Sequence, residues 1–164
     1  MANRAGATIT IGGPVPADRL EDLLQMIEAE GLGSDWDEPF SSRQELLSYL
    51  EAAAEGAAFY AREVADGEFD ALQAFCVEVG LTYVLTSDGY SCEWGPSRRI
   101  RRPGDAGDGV TCSLNMDGGY ACVSADDIRY LELADLEAVL AFLARFNDPR
   151  VPPLEFGRDE PPIP

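Results

Sequence analysis

Thr82-Tyr83-Val84-Leu85-Thr86-Ser87-Asp88-Gly89-Tyr90-Ser91-Cys92-Glu93-Trp94 is the stretch that sets the fold class. Its first half is rich in β-branched and aromatic residues, and Asp88-Gly89 has the chemistry of a two-residue hairpin turn. Folded about that turn, Leu85 faces Cys92 and Tyr83 faces Trp94, so four apolar side chains share one face. A hairpin is therefore expected over residues 82–94. A second is expected downstream, where Val110 to Met116 and Tyr120 to Val123 flank Asp117-Gly118-Gly119. A three-residue loop there places Cys112, Leu114, Met116, Tyr120 and Cys122 on one face.

Upstream of Leu81 the pattern is β-α. Ala7 to Ile11 alternates as a strand and is expected to stop at Gly12-Gly13-Pro14. Pro16 suits a first helical position, and Leu20, Leu23, Leu24 and Ile27 then recur at helical spacing up to a closing Gly31. Ser42-Arg43-Gln44-Glu45 has the form of a capping box opening a second helix. Ala57 to Val64 reads as a strand, and Asp66 as the cap of a third helix ending at Gly80. Leu20, Leu23, Ile27, Gly31 and Leu32 return as Phe69, Leu72, Cys76, Gly80 and Leu81, an offset of 49. Two β-α units follow from this repeat, the first carrying an inserted helix. Residues 124–133 fit a helix or a strand. Asp135 caps a last helix with Leu136, Val139, Leu140, Leu143 and Phe146 inward.

The expectation is an α+β domain over residues 1–146: a mixed, mostly antiparallel sheet with helices largely on one face. Residues 147–164 form a Pro-rich C-terminal tail, extended or frayed.

Composition removes several chemistries. The chain has 164 residues, no His, 12 basic residues that are all Arg, 30 acidic ones and a formal charge of −18. Without His there is no Ser-His-Asp or Cys-His-Asn engine and no HExxH zinc site. Cys76, Cys92, Cys112 and Cys122 match no zinc spacing and are expected to be buried, reduced thiols. Gly12-Gly13-Pro14 lacks a phosphate-loop signature, and acids crowd the helix behind it. The Asp-Gly clusters lack calcium-loop spacing. No cofactor, metal or catalytic residue is expected.

The chain opens on a strand-like run with no apolar leader or myristoylation Gly, and no apolar stretch reaches membrane length, so a cytoplasmic protein is expected. The negative field opposes nucleic acid and anionic membrane and favours a basic protein surface. Two accounts of the acidity compete: a solvated, halophile-like surface, or a shaped acidic face. Carboxylates at i, i+4 on a helix lie about 6 Å apart, near the separation of phosphates along a strand. The candidate partner-binding set is Asp18, Asp22, Glu28, Asp35, Trp36, Asp37 and Glu38. Trp36 is either an exposed anchor or tucked under its own loop.

Arg98, Arg99, Arg101 and Arg102 form a basic island, expected on an edge strand. They would pair with the chain's own carboxylates or with a neighbouring copy's acidic face. The functional expectation is a non-enzymatic, acidic protein-protein interaction module. An inhibitor from a phage or mobile element, blocking a basic nucleic-acid-binding partner, would have this character. A scaffold or homo-oligomerisation module is the alternative, as is an enzyme using a Cys or a carboxylate.

Overall fold

The computed structural model describes residues 3–90, 93–116 and 119–157. The elements are β1 (Arg4–Val15), a 3-10 turn (Ala17–Arg19), α1 (Leu20–Ala29), α2 (Arg43–Ala52), β2 (Ala57–Ala65), α3 (Asp70–Val79), β3 (Thr82–Ser87), β4 (Ser97–Arg101), β5 (Val110–Leu114), β6 (Ala121–Cys122), α4 (Ala125–Tyr130), α5 (Leu136–Asn147) and β7 (Leu154–Phe156). They form an α+β fold on one seven-stranded sheet of order β2-β1-β3-β4-β5-β6, with β7 paired to β1. All pairings are antiparallel except β1 with β7.

Strand alternation divides the sheet into two faces. Ala7, Ile9, Ile11, Phe59, Tyr83 and Leu85 point to one face, under Leu23, Leu24 and Ile27 of α1, Leu46 and Leu50 of α2, and Leu72, Phe75 and Cys76 of α3. Both β-α units thus lay their helices on the same side. The repeat is visible in three dimensions: Leu23 and Leu72 are buried alike, as are Ile27 and Cys76, and Gly31 and Gly80 both take positive φ. On the opposite face a smaller core gathers Val84, Ile100, Cys112, Leu114 and Ala121 beneath Phe146 of α5.

Several local expectations change. β1 does not stop at Gly12-Gly13. A Cβ on Gly12 would lie 1.8 Å from the Pro152 carbonyl oxygen, and the Gly13 N–H donates to Pro153 O at 3.0 Å. The two glycines let the C-terminal segment reach β1 and pair as β7, so residues 154–156 are strand. Ser42 caps α2 by accepting the Glu45 N–H at 3.2 Å, but the Glu45 carboxylate turns back to Ser41, not Ser42. Asp66 does not cap α3. It sits with Gly67 at positive φ in a tight turn, and the Gln73 side chain accepts the Phe69 N–H at the helix start.

The largest correction concerns β3. Its second partner is β4, with Tyr83 opposite Arg101 and Leu85 opposite Arg99. The hairpin expected about Asp88-Gly89 does not form; its Cys92 lies outside the described residues. Tyr90 and Trp94 instead exchange backbone hydrogen bonds at 3.0 and 3.2 Å and stack their rings, closing a small loop before Pro96. That leaves the edge of β3 to residues 97–101. Arg98, Arg99 and Arg101 therefore lie on an internal strand and not an edge, because β4 pairs with β3 on one side and β5 on the other.

The second hairpin forms with a shifted register. Leu114 pairs with Ala121 and Ser113 with Cys122. One residue of slip turns Ala121 inward and leaves Cys122 and Tyr120 exposed, with Met116 also outward. Asp117 and Gly118 of its loop lie outside the described residues. Residues 125–130 resolve as helix, opened by a capping box of Ser124 and Asp127. Asp135 caps α5 as expected. Of α5's apolar positions, Phe146 is buried and Val139 and Leu143 are half-buried. Leu136 and Leu140 are 72% and 57% exposed.

Candidate interaction surface

The acidic loop begins where Gly31 releases α1. Gly33 and Tyr60 of β2 exchange backbone hydrogen bonds at 3.1 and 3.0 Å, which fastens the loop to the outer edge of the sheet. The Phe40 N–H donates to Leu32 O at 3.2 Å and closes the loop's far end. Between these anchors, Asp35 accepts the Asp37 N–H at 2.9 Å in an Asx turn. Trp36 sets its ring edge-to-face on Tyr60 at 5.3 Å. Arg62 donates through Nε to the Trp36 carbonyl at 2.7 Å and pairs with Asp37 at 2.8 Å. Trp36 is therefore half-buried and tucked onto β2, while Asp35, Asp37 and Glu38 stand exposed around it.

Along α1 the candidate carboxylates are partly tied to neighbouring helices. Arg19 bridges Asp22 and Glu78 of α3, both at 2.8 Å. Arg43 bridges Glu21 and Glu28 at 2.7 and 2.9 Å, linking α2 to α1. These guanidinium groups hold Glu28 and Glu78 below the usual carboxylate range; hydrogen bonds from Gln25, then Arg43, do the same for Glu21. Among the described residues Asp18, Asp35 and Glu38 make no ion pair. Asp18 lies at the opposite end of α1 from the loop, about 15 Å away for ten helical residues. The seven candidate positions thus run along a helix and into a loop, and do not converge on one pocket.

Glu30 sits at the junction. With Asp35, Trp36, Asp37, Glu38 and Arg62 it lines a shallow hollow of about 270 Å³. Burial pushes its carboxyl above the usual range and the Asp70 charge adds to this, offset in part by the Ala71 N–H. An acid favoured in its protonated form contributes fully below the ordinary glutamate range, and that contribution is lost as pH rises through the raised value. Glu30→Gln is expected to raise the melting temperature at pH 7 and to lose this advantage below about pH 4. Thermal denaturation of both proteins at the two pH values checks it; an unchanged or lowered melting temperature at pH 7 contradicts it.

The Arg island is engaged internally. Arg99 holds Glu68 through two bonds of 2.8 Å. Arg98 donates to Thr86 and to the Phe146 carbonyl at the end of α5. Arg101 is buried and donates to Leu81 O at 3.3 Å. The Arg102 N–H donates to Asp105 at 2.8 Å, and its guanidinium makes no ion pair among the described residues.

Burial raises the Cys76 thiol to about 12 and the Cys112 thiol to about 11. Burial thus favours the protonated thiol over the nucleophilic thiolate at both positions. Cys122 is exposed, contrary to expectation, and Cys92 lies outside the described residues. Among the described residues no group of three or more metal-ligating side chains gathers, and no helix is long and apolar enough to cross a membrane.

Sequence reasoning missed a second feature. Asp88, Tyr90, Glu93, Trp94 and Met116 line an open cleft of about 520 Å³. Tyr90 and Trp94 are four residues apart, which is also the signature of a hairpin face, so spacing alone did not separate the two. Comparison with known protein families, with curated proteins and with solved structures finds no match to this chain.

Proposed function

We propose that this protein is an acidic protein-protein interaction module that occupies a basic, nucleic-acid-binding groove on a partner protein. The observation that carries this reading is the bracing of the 33–40 loop. Two backbone bonds to Tyr60, the Trp36–Tyr60 contact and the Arg62 clamp hold Asp35, Asp37 and Glu38 in one arrangement while leaving them exposed. A carboxylate display fixed in advance loses little entropy on binding, which a merely solubilising surface does not need. The carboxylates of α1 are partly neutralised by Arg19 and Arg43, so the loop carries the display. Engagement of Arg98, Arg99 and Arg101 within the fold leaves these three unavailable to a neighbouring copy's acidic face, and so favours a foreign basic partner over self-assembly. Blocking nucleic acid in this way is the habit of inhibitors carried by phages and mobile elements.

The test is displacement. The partner is captured from the native host at low salt, loaded with labelled duplex DNA or RNA, and titrated with this protein. Release of the nucleic acid is expected. Charge reversal at Asp35, Asp37 and Glu38 together is expected to weaken it at least tenfold, and more at low than at high salt. Failure to capture a basic partner, or undiminished nucleic-acid binding at saturation, overturns the reading.

A further inference from the structure

The cleft beside β3 has walls of a different kind from the acidic loop. Tyr90 and Trp94 stack at 5.4 Å between centroids with planes 29° apart, and Tyr90 is 38% exposed. The pairing is built into the backbone, since the two residues exchange both of their main-chain hydrogen bonds. Asp88 lines the same cleft: its N–H donates to Gly6 O at 2.9 Å, and its carboxylate lies so close over Gly6 that a Cβ there would come within 2.3 Å of Oδ2. Asp88 is an exposed residue, and partial burial of its carboxyl raises it above its usual range. Glu93 accepts a hydrogen bond from Asn3, which holds a second carboxylate on the rim. Met116, 81% exposed, supplies an adaptable apolar edge.

Aromatic faces and carboxylates in one cleft attract a cation that is also partly apolar. The formal charge of −18 on the whole chain favours a cation over an anion or a neutral ligand in such a cleft. We propose that this cleft receives an Arg or Lys side chain of the basic partner, its stem along Met116 and Trp94 and its charge between the ring face and Asp88. This rests on the reading above, to which it adds a specific anchor point for one cationic residue. The long-range acidic field brings the partner in; the cleft would select where it seats.

The experiment is calorimetric titration of the whole chain with an arginine hexapeptide amide and with the same peptide carrying citrulline for every arginine. The arginine peptide is expected to bind and the citrulline peptide to bind at least tenfold more weakly. Trp94→Leu and Asp88→Asn should each weaken the arginine peptide about five- to tenfold, whereas Trp94→Phe, which keeps a π face, should retain most of the affinity. Far-ultraviolet circular dichroism confirms that each variant is folded, and Asp88→Asn carries the test if Trp94→Leu is not. If neutralising Asp35, Asp37 and Glu38 weakens the peptide while Trp94→Leu and Asp88→Asn do not, the cleft proposal falls and the acidic-display reading stands. If free arginine binds as tightly as the peptide, the cleft is a small-cation site and the proposal of a partner side chain is overturned. Absence of peptide binding at low salt overturns both.

Discussion

Gly33→Ala is expected to dismantle the acidic loop while leaving the sheet folded. A Cβ at this position would lie 2.2 Å from the Glu38 carbonyl oxygen and 3.1 Å from that of Asp35. Both are backbone atoms, so no side chain can swing aside. The chain must give up either the turn at residues 35–38 or the two hydrogen bonds between Gly33 and Tyr60. Overpacking of this kind costs about 1–3 kcal/mol. The cost falls on the loop, and its readout is local. Trp36 leaves Tyr60, so its emission shifts to the red, and displacement of nucleic acid from the partner weakens with it. An unchanged Trp36 spectrum together with full displacement activity would show that the loop's arrangement is not what the partner reads.

Phe59→Ala should have the largest effect on stability. Phe59 is fully buried on β2 and is the ring against which both Phe40 and Tyr49 pack, at 6.2 and 5.8 Å. Tyr49 is fixed in turn by donating its hydroxyl to Ala58 O at 2.6 Å. Truncation leaves a cavity that the paired strand cannot close, at a cost of about 3–5 kcal/mol. Domains of this size have about 5–15 kcal/mol in total, so a measurable unfolded fraction is expected in mild urea. Leu136→Ala and Leu140→Ala are the matched controls. Their side chains already face water, and changes within about 0.5 kcal/mol are expected. Urea midpoints for the three variants check this; a Phe59→Ala loss no larger than that of the controls contradicts the packing described.

Much of this fold was legible in the sequence, and the parts that were not share a cause. Ala7 to Ile11 alternates on one buried face, α1 and α3 repeat their apolar spacing, and Asp135 stands before a helical run. In each case a local pattern and its tertiary role agree. The pairing of β3 was hidden because two local signals, turn chemistry at Asp88-Gly89 and matched apolar faces, favoured the wrong partner. The true partner strand is Ser-Arg-Arg-Ile-Arg. Its guanidinium stems pack while their charged ends reach Glu68, Thr86 and main-chain carbonyls, and none of those partners is adjacent in sequence. The α5 pattern was read correctly as a helix but not as half-covered, because amphipathic spacing reports a face and not how much of it another element reaches. For the candidate site, the acidic stretch was legible by composition. What composition could not supply was that Arg19, Arg43 and Arg62 tie up part of it, or that Tyr90 and Trp94 form a wall instead of a hairpin.

β1 is made early and pairs with three strands, β2, β3 and β7, yet the last of these, Leu154–Phe156, arrives some 140 residues later. During synthesis the backbone groups of Gly13 to Val15 therefore wait, uncovered, until nearly all of the described chain has left the ribosome. A nascent chain halted before that point presents an open strand edge, the form most prone to capture by another unfinished copy. Gly12, which admits the Pro152 carbonyl at close range, is what allows that edge to be sealed at all.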